Sequence, residues 1–403
     1  MIKILFFLVI ILAGCGSKSG LNEVSAILDN DNTHIINVDI LDKQENVDLS
    51  LFFSTIEIIP LEISRDVLLS RVNKLIVYND TLYVLDKTGA KGLFMFNCKG
   101  NYLGNIGRLG QGPGEYSRPE DFTIDIEEHV LYLLDSDRQQ VHKYDLITNR
   151  YIESVTLEMQ KSRAFHIQYW NKNIYSDIYS QKKLSYNDFM LCKLNTVTGV
   201  REDCWLSAKE YNLGWNELFF TGKGVFYSQL FYPPKFTQLF MNFVMEITDD
   251  GVRPFLKLES KNWLRKEELA AIEGRSDERY RQLLKRGWMY EISDVFEIDN
   301  LIYFNYKEGF DTYHVFYDKS TNKIVCSRNI INDLLFKKNL QEGVELMFGF
   351  ADDKGIYAFV HPFAMSTFLK NIKDGIINED CISYDKLKNL NEESNPVVFY
   401  LRK

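Results

Sequence analysis

A two-residue motif, an aliphatic or aromatic residue followed by tyrosine, recurs six times along the chain. Each copy follows an apolar segment that ends in a turn, and a further apolar segment comes after it. Successive motif tyrosines are 43 to 76 residues apart, and four of the five intervals lie near 50. Four short strands repeated at such an interval are typical of a β-propeller blade. The sequence therefore predicts an all-β fold, a six-bladed β-propeller with four-stranded antiparallel blades. The motifs are Leu82-Tyr83, Leu131-Tyr132, Ile174-Tyr175, Phe226-Tyr227, Ile302-Tyr303 and Ile356-Tyr357.

Within each repeat, the motif is expected in the second strand, after a first strand such as residues 219–222 in the fourth repeat. The sixth repeat ends after its third strand, residues 397–401, whereas residues 55–61 form a strand before the first repeat. Pairing these two segments would complete the last blade and remove two open sheet edges. We expect residues 55–61 to be the outer strand of blade six. Two separate domains are the alternative, and they would leave an unfinished sheet.

Composition supports strands and argues against one class of partner. The chain contains 28 Phe and 23 Tyr but 8 Pro, and aromatic residues are enriched in strands. Its 47 basic and 56 acidic residues give a net charge of −9. Because general nucleic-acid binding depends on cationic neutralisation of phosphates, no nucleic-acid partner is expected.

The first residues read as a secretion leader. Lys3 precedes the apolar segment 4–12, which is too short to span a bilayer as a helix. The following Leu12-Ala13-Gly14-Cys15 resembles the lipobox of bacterial lipoproteins. That resemblance implies a signal peptide over 1–14 and lipidation of Cys15, which would make the membrane a partner. An ordinary signal peptide with a chance cysteine is the alternative.

Small polar residues after Cys15 predict a flexible tether over 15–30, followed by the propeller over 31–403. Surface-exported lipoproteins of Bacteroidetes usually carry an acidic cluster directly after the lipidated cysteine, and residues 16–20 lack it. The resemblance therefore favours a cell-envelope protein on the outer membrane that faces the periplasm, with the cell surface as the other option.

Two long intervals carry insertions. Residues 260–287, between blades four and five, have apolar spacings of three and four, which predict two short helices. Residues 366–395, rich in Asn, Lys and Asp, predict a surface excursion in blade six.

Five cysteines remain after Cys15, and none forms a CxxC or a zinc-type Cys/His spacing. Cys192 and Cys204 are equidistant from Thr198, which begins a predicted hairpin turn. They would lie opposite each other, either bonded or as two buried free thiols.

The most distinctive segment is 107–116 (GRLGQGPGEY), between blades one and two. Together with blade two it resembles the connector of NHL-type repeats, and the whole chain resembles the six-bladed β-propeller lipoproteins of Bacteroidetes. Glycine permits close backbone approach, so the segment can be a structural connector, a ligand contact, or an anion-holding nest of amides. The candidate ligand-binding side chains are Arg108, Gln111, Glu115, Tyr116, Arg118 and, in a later connector, Trp215.

Catalytic and metal-binding motifs do not emerge from local spacing. None of the six histidines stands in an HxxH or HExxH arrangement, so no metal or cofactor is predicted. His166 and His361 are the histidines best placed for the central channel. Asp86 and Asp135 occupy equivalent positions after the motif, which indicates a blade-building role such as accepting turn amides. Arg65, Arg71 and Arg118 can surround a channel mouth.

Two function hypotheses follow. In the first, the chain is a non-catalytic binding or scaffold lipoprotein whose ligand is a glycan, a peptide or a protein partner. In the second, it is an NHL-like propeller enzyme, a metal-dependent lyase or hydrolase with a site at the channel mouth. The second needs His and carboxylate side chains that converge from several blades.

Overall fold

The computed structural model describes residues 25–63, 67–159, 162–180, 189–211, 225–227, 229–337, 344, 346–360, 364–374, 376–379 and 381–403. Within these ranges no helix is long and apolar enough to cross a membrane. Six sheets form the six blades of a β-propeller, as the sequence predicts.

Blades one to three each contain four antiparallel strands in chain order, from the inner to the outer strand. Blade one consists of Lys74–Tyr78, Thr81–Asp86, Gly92–Asn97 and Tyr102–Ile106. Blade two consists of Pro119–Asp125, Val130–Asp135, Gln140–Asp145 and Arg150–Thr156. Blade three consists of Ile167–Trp170, Asn173–Asp177, Phe189–Asn195 and Arg201–Ser207.

Blades four and five each carry a fifth strand on the outer edge, which runs parallel to its neighbour. Blade four consists of Phe226–Tyr227, Lys235–Phe236, Phe243–Thr248, Gly251–Glu259 and the added His34–Asn37. Blade five consists of Met289–Ile298, Leu301–Glu308, Asp311–Asp318, Lys323–Ile331 and the added Lys43–Asp48. Blade six consists of Leu346–Ala351, Gly355–Val360, Val397–Arg402 and Thr55–Pro60.

Blade six closes the ring with both ends of the chain. The outer strand Thr55–Pro60 pairs antiparallel with Val397–Arg402, and Ile58 stands opposite Phe399. The amide of Ser54 extends the pairing with a bond of 2.7 Å to the carbonyl of Arg402. The predicted closure, with this segment as the outer strand, is confirmed.

Residues 25–60, which we call the strap, follow the outer edges of blades three, four and five in order and end with this closing strand. Its Ser25 amide donates to the carbonyl of Cys204 in blade three at 2.7 Å, and its Leu28 amide donates to Val252 in blade four at 2.9 Å. The strap then adds the fifth strands of blades four and five. Residues 25–30, the end of the predicted tether, thus lie along the ring, and the strap covers edges that would otherwise be open to pairing.

Blade four departs from the expected strand assignment. Phe226–Tyr227 is its innermost strand, not its second, and Lys235–Phe236 is the second. Residues 219–222, the expected first strand, lie outside the described residues. Pro233 and Pro234 precede Lys235, and proline has no amide for the strand ladder, so the second strand begins late and is short.

The six motifs explain how the blades pack. Successive side chains of a strand point to opposite faces, so the two motif residues face different neighbours. Leu131 lies in the core shared with blade one, whereas Tyr132 lies in the core shared with blade three. Ile302 and Tyr303 likewise face blades four and six. Each motif therefore contributes to two inter-blade cores.

The remaining elements are short. The helices are Ala208–Tyr211, Lys266–Ala270, Ser276–Arg286 and Met365–Lys373, and the 3-10 helices are Val38–Ile40, Leu49–Leu51 and Tyr384–Asn389. Two of these helices form the insertion predicted over 260–287. In the excursion over 366–395, Phe368 and Leu387 are buried in the core of blade six, so this segment covers one side of that blade.

Candidate functional site

The connector between blades one and two, residues 107–118, folds around the carboxylate of Glu115. Oε2 of Glu115 accepts hydrogen bonds from the amides of Gln111 and Gly112, both at 2.9 Å. Oε1 accepts one from Nε of Arg108 at 2.7 Å. These amide and guanidinium contacts lower the pKa of the Glu115 carboxyl. The consecutive amides that form a nest for an anion thus hold a carboxylate of the same loop.

Arg138, in the turn between the second and third strands of blade two, fixes this connector from the other side. Its Nη1 donates to the carbonyl of Glu115 at 2.8 Å. Its Nη2 donates to the carbonyl of Gly110 at 2.6 Å and to Oε1 of Gln111 at 2.7 Å. The connector is therefore rigid, and Gln111 contributes its side chain to that rigidity.

The structure places the other predicted site residues differently. The Arg108 side chain is 77% exposed and that of Arg118 is 56% exposed. Tyr116 is 1% exposed in the core between blades one and two, and its hydroxyl donates to the carbonyl of Ile106 at 3.3 Å. Four predicted residues lie outside the described residues: Cys15, Arg65, Trp215 and His361.

A buried aspartate ends the second strand in each of the first three blades. These residues, Asp86, Asp135 and Asp177, are all 0% exposed. Each carboxylate accepts hydrogen bonds from two successive amides of the connector that leads into its own blade. The amides belong to Ser70 and Arg71, to Ser117 and Arg118, and to Phe165 and His166. The blade-building role predicted for the first two aspartates is confirmed.

The pKa values of two of these carboxyls follow from the same contacts. Burial raises the pKa of Asp86, but hydrogen bonds from amides, those of Gly89 and Ser70 foremost, outweigh it, so the pKa is lowered. Burial also opposes ionisation of Asp135, but the nearby His142 ring and the hydrogen bonds from Ser117 outweigh it and lower the pKa. Both carboxylates are therefore ionised at neutral pH and hold their connectors in place.

Charged side chains of blades one and two meet where their inner strands begin. Glu120, 8% exposed, accepts hydrogen bonds from Lys87 Nζ at 2.8 Å and Ser136 Oγ at 3.1 Å, and lies 3.1 Å from Arg118 Nε. Asp121, 3% exposed, accepts one from Lys74 at 2.7 Å. We call this group the connector-face cluster; it consists of Lys74, Lys87, Arg118, Glu120 and Asp121.

The cluster extends to blade three and to solvent. Oδ2 of Asp121 accepts the amide of Ile167, in the inner strand of blade three, at 2.8 Å. On the outer side, Arg118 lies 3.9 Å from the half-exposed Asp137. Arg71 occupies the position equivalent to Arg118 in blade one and is exposed. The surface thus offers cationic donors beside carboxylate acceptors on a fixed backbone, which suits the binding of a polar ligand.

The sequence profile of one family, described as a domain of unknown function, DUF4934, matches residues 33–402. The chain belongs to the DUF4934 family. The match spans all six blades, including the strap from its first added strand. No curated protein matches the chain.

Two solved structures have the same fold as this DUF4934 chain. A Bacteroides fragilis protein described as exported is 17% identical, with a TM-score of 0.65, and the match covers 92% of this chain and 99% of that one. A DUF4221 family member from Bacteroides vulgatus is 12% identical, with a TM-score of 0.51, and covers 87% and 97%. At these identities the likeness shows the fold alone.

Two histidines of the DUF4934 chain are engaged in buried contacts. His166 Nδ1 lies 2.5 Å from Oδ2 of Asp177. The same carboxylate also accepts a hydrogen bond from the backbone amide of His166. His142, 2% exposed, lies 2.6 Å from Ser154 Oγ through Nδ1 and 3.8 Å from Asp135 Oδ2 through Nε2. This Ser–His–Asp order resembles a catalytic relay. However, the 3.8 Å between Nε2 of His142 and Oδ2 of Asp135 is too long for a hydrogen bond, and Asp135 already accepts hydrogen bonds from backbone amides. The three residues therefore stabilise blade two and do not form a relay.

Sequence reasoning missed a buried ion network between blades four and five. Lys235, 2% exposed, lies 2.9 Å from Glu246 Oε1 and 3.3 Å from Glu297 Oε2. Arg253 also pairs with Glu246, and Lys319 also pairs with Glu297, at 2.6 and 2.5 Å. The five residues come from five elements, so no local spacing could have revealed them. Among the residues that the structure describes, no group of three or more His, Cys, Asp or Glu side chains is placed to hold a metal ion.

Proposed function

We propose that this DUF4934 chain is a lipid-anchored protein of the cell envelope whose propeller binds a glycan, a peptide or a protein partner. The leader over 1–14 and the lipidation site Cys15 support the anchor, and a relative of the same fold is described as exported. The outer membrane, with the propeller facing the periplasm, is the favoured location, and the cell surface is the alternative.

One observation carries the binding role: successive connectors are held rigid by buried aspartates and leave charged side chains exposed. The carboxylates of Asp86 and Asp135 fix the backbone amides of Arg71 and Arg118. Both side chains are exposed, and that of Arg118 also lies 3.1 Å from Glu120 through Nε. Because the backbone is ordered before binding, little conformational entropy is lost when a ligand docks. A small loss of conformational entropy favours ligand binding at this surface.

The chemistry of the surface favours a ligand with carboxylate groups. Arg71, Arg108 and Arg118 present planar guanidinium forks, which bind carboxylates in a bidentate manner. Lys74 and Lys87 lie deeper in the connector-face cluster and are paired with carboxylates of the chain. A uronic-acid glycan or an acidic peptide would meet the exposed forks first. Glu115 and Gln111 position Arg108 and its loop, and Trp215 remains a predicted contact.

The test is a thermal-shift screen of the full chain in detergent against acidic and neutral glycans and peptides. A ligand that binds the native state raises the melting temperature, by an amount that grows with the ratio of its concentration to its Kd. We expect the largest shift from a uronate-containing glycan or an acidic peptide, and we expect it to decrease as salt screens the charges.

Variants locate the ligand. Arg71→Gln and Arg118→Gln should each reduce the shift by at least half. Arg150→Gln is the matched control, because Arg150 is exposed at the opposite end of blade two. Equal shifts in all three variants would overturn the proposed surface. Stoichiometric metal in the purified chain, lost in His166→Ala or His361→Ala, would instead favour the lyase or hydrolase.

A further inference from the structure

Two cysteines of blade three stand directly opposite each other on neighbouring strands. Cys192, in the third strand, is the cross-strand partner of Cys204, in the outer strand. Directly opposite residues of an antiparallel pair place their side chains on the same face of the sheet. The two sulfur atoms are not bonded to each other in the structure.

Backbone hydrogen bonds show which type of pair this is. The carbonyl of Cys204 accepts the amide of Ser25 from the strap, so its polar backbone groups face outward. The carbonyl of Met190 accepts the amide of Ile178, on the inner side of the third strand. Along a strand, the backbone polar groups of every second residue point to the same side, so those of Cys192, like those of Met190, point towards the inner strands. The two residues therefore form a non-hydrogen-bonded pair, whose Cα atoms are separated by about 4.5 Å. That separation lies within the range of disulfides.

Burial determines when the two thiols can react. Cys192 is 0% exposed and Cys204 is 3% exposed, in the core between blades two and three. Burial raises the pKa of the Cys204 thiol to about 11 and that of Cys192 well above its usual value. Because the thiolate is the reactive form, oxidation must precede the packing of these blades and the docking of the strap. Once the ring is closed, the same burial protects the bond.

The other three described cysteines lie in blades one, five and six. Cys98 follows the third strand of blade one, Cys326 lies in the fourth strand of blade five, and Cys381 lies in the blade-six excursion. The thiol of Cys326 lies 3.7 Å from the hydroxyl of Tyr306, and that of Cys381 donates to a backbone carbonyl at 3.1 Å. Among the described cysteines, Cys192 and Cys204 are the pair that stands opposite in neighbouring strands.

We propose that Cys192 and Cys204 form a disulfide in the exported protein, beneath the first contact of the strap with the ring. The proposal rests on the envelope location proposed above. The oxidant is a dithiol–disulfide oxidoreductase of the envelope. One cysteine thiolate attacks its disulfide and forms a mixed disulfide, and the other displaces the oxidoreductase thiolate. The chain loses two electrons and two protons, and the oxidoreductase is released as a dithiol.

The experiment labels cysteines in the full chain, exported with its own leader. Thiols are blocked during cell lysis, the protein is unfolded without reductant, and each cysteine is mapped by peptide mass spectrometry. We expect Cys98, Cys326 and Cys381 to be labelled before reduction, and Cys192 and Cys204 only after it. Cys204→Ala should expose Cys192 to the label, whereas Cys326→Ala should leave the pair unlabelled. Reductant should lower the melting temperature of the native chain by a few degrees and leave that of Cys204→Ala unchanged.

Labelling of both cysteines before reduction in the exported chain would overturn the proposal. A second arm then identifies the cause: reduced chain from the cytoplasm is unfolded and refolded with oxidised glutathione. If the bond forms there, the geometry permits it and the envelope location is wrong. If it does not form there either, the geometric inference is wrong and the proposed location is unaffected.

Discussion

Ile58 stands opposite Phe399 across the seam of blade six, so residues from the two ends of the chain share one strand pair. Both side chains are 0% exposed, and both belong to the core between blades five and six. The strap that precedes Ile58 follows the edges of blades three, four and five before it reaches this position. Closure of the ring and docking of the strap are therefore parts of the same event.

Truncation of this seam residue should weaken the whole ring. Ile58→Ala removes buried methyl and methylene groups, which should lower the free energy of unfolding by about 2–5 kcal/mol. Urea denaturation followed by tryptophan fluorescence measures it. Ile35→Ala is the matched control, because Ile35 lies on the same strap and is 60% exposed. Its effect should stay within about 0.5 kcal/mol. Equal losses in the two variants would contradict the seam.

Loss of a connector anchor should be costly as well. Asp135→Asn replaces one acceptor oxygen by an NH2 group that faces donors, so buried donors lose their partner. We expect about 1–3 kcal/mol less stability, measured by denaturation at pH 7. Asp137→Asn, at a half-exposed position two residues later, is the control and should change little. The prediction fails if the control costs as much as Asp135→Asn.

The fold could be predicted because its determinants are local and repeated. Leu131 and Tyr132 alternate between two inter-blade cores, and five further motifs follow the same rule. Side chains of a strand alternate with a period of two, so an apolar pair that comes soon after a turn is visible in the sequence. The two added strands of the strap, His34–Asn37 and Lys43–Asp48, were missed, because such mostly exposed segments have no such pattern. In blade four the motif was recognised correctly, but its position within the blade depends on a sheet order that no pattern encodes.

The site could be predicted only in part. The glycine-rich connector was visible, and Asp86 and Asp135 were identified because they follow the motif tyrosine by three residues. Asp177 follows its tyrosine by two and was missed, although the same search with a shorter spacing finds it. That Glu115 fills the amide nest depends on a turn that brings its carboxylate back to Gln111. Contacts of that kind are set by three-dimensional closure.

The connector contains a glycine that another residue cannot replace without strain. Gly114 has φ of 73°, and an added Cβ would lie 2.7 Å from Cβ of Tyr151. Gly114→Ala should therefore cost about 1–2 kcal/mol for the left-handed backbone alone, with the clash in addition. Gly112→Ala is the control, because Gly112 has no positive φ and an added Cβ would lie 3.2 Å from its nearest atom, Oε2 of Glu115. Thermal denaturation should show a clear loss for the first variant and a small change for the second.

The strap histidine predicts a pH dependence. His34 lies 5.4 Å from the rings of Phe255 and Tyr317, and burial, followed by the charge of Lys319, lowers its pKa from 6.5. The carboxylates of Glu297 and Glu246 act in the opposite direction, and Lys235 acts with Lys319.

A folded-state pKa below the unfolded value means that the unfolded chain binds the proton first. The stability that the lowered pKa of His34 contributes is complete above pH 6.5, and it is lost as the pH falls from there through the folded-state pKa. Melting temperatures between pH 8 and 5 should therefore decrease below pH 6.5, and His34→Gln should flatten that slope. Protonation of the carboxylates that have a lowered pKa, such as Asp86, reduces the stability only below about pH 4. If His34→Gln left the slope unchanged, the decrease in melting temperature would have to come from another titratable group.

The buried ion network should be sensitive to removal of its central cation. Lys235→Met leaves Glu246 and Glu297 with one cationic partner each, Arg253 and Lys319. Removing one partner of a fully isolated buried pair costs about 3–5 kcal/mol, and the remaining partners should limit the loss here to about 2–3 kcal/mol. Lys257→Met is the matched control, because it breaks the exposed pair with Glu259, and such pairs contribute about 0–1 kcal/mol. Adding Glu246→Gln to Lys235→Met removes one of the two carboxylates that have lost a cationic partner, so the double variant should recover part of the lost stability. Denaturation of the three variants would contradict this account if the double variant were the least stable, since Glu246 would then stabilise the ring independently of Lys235.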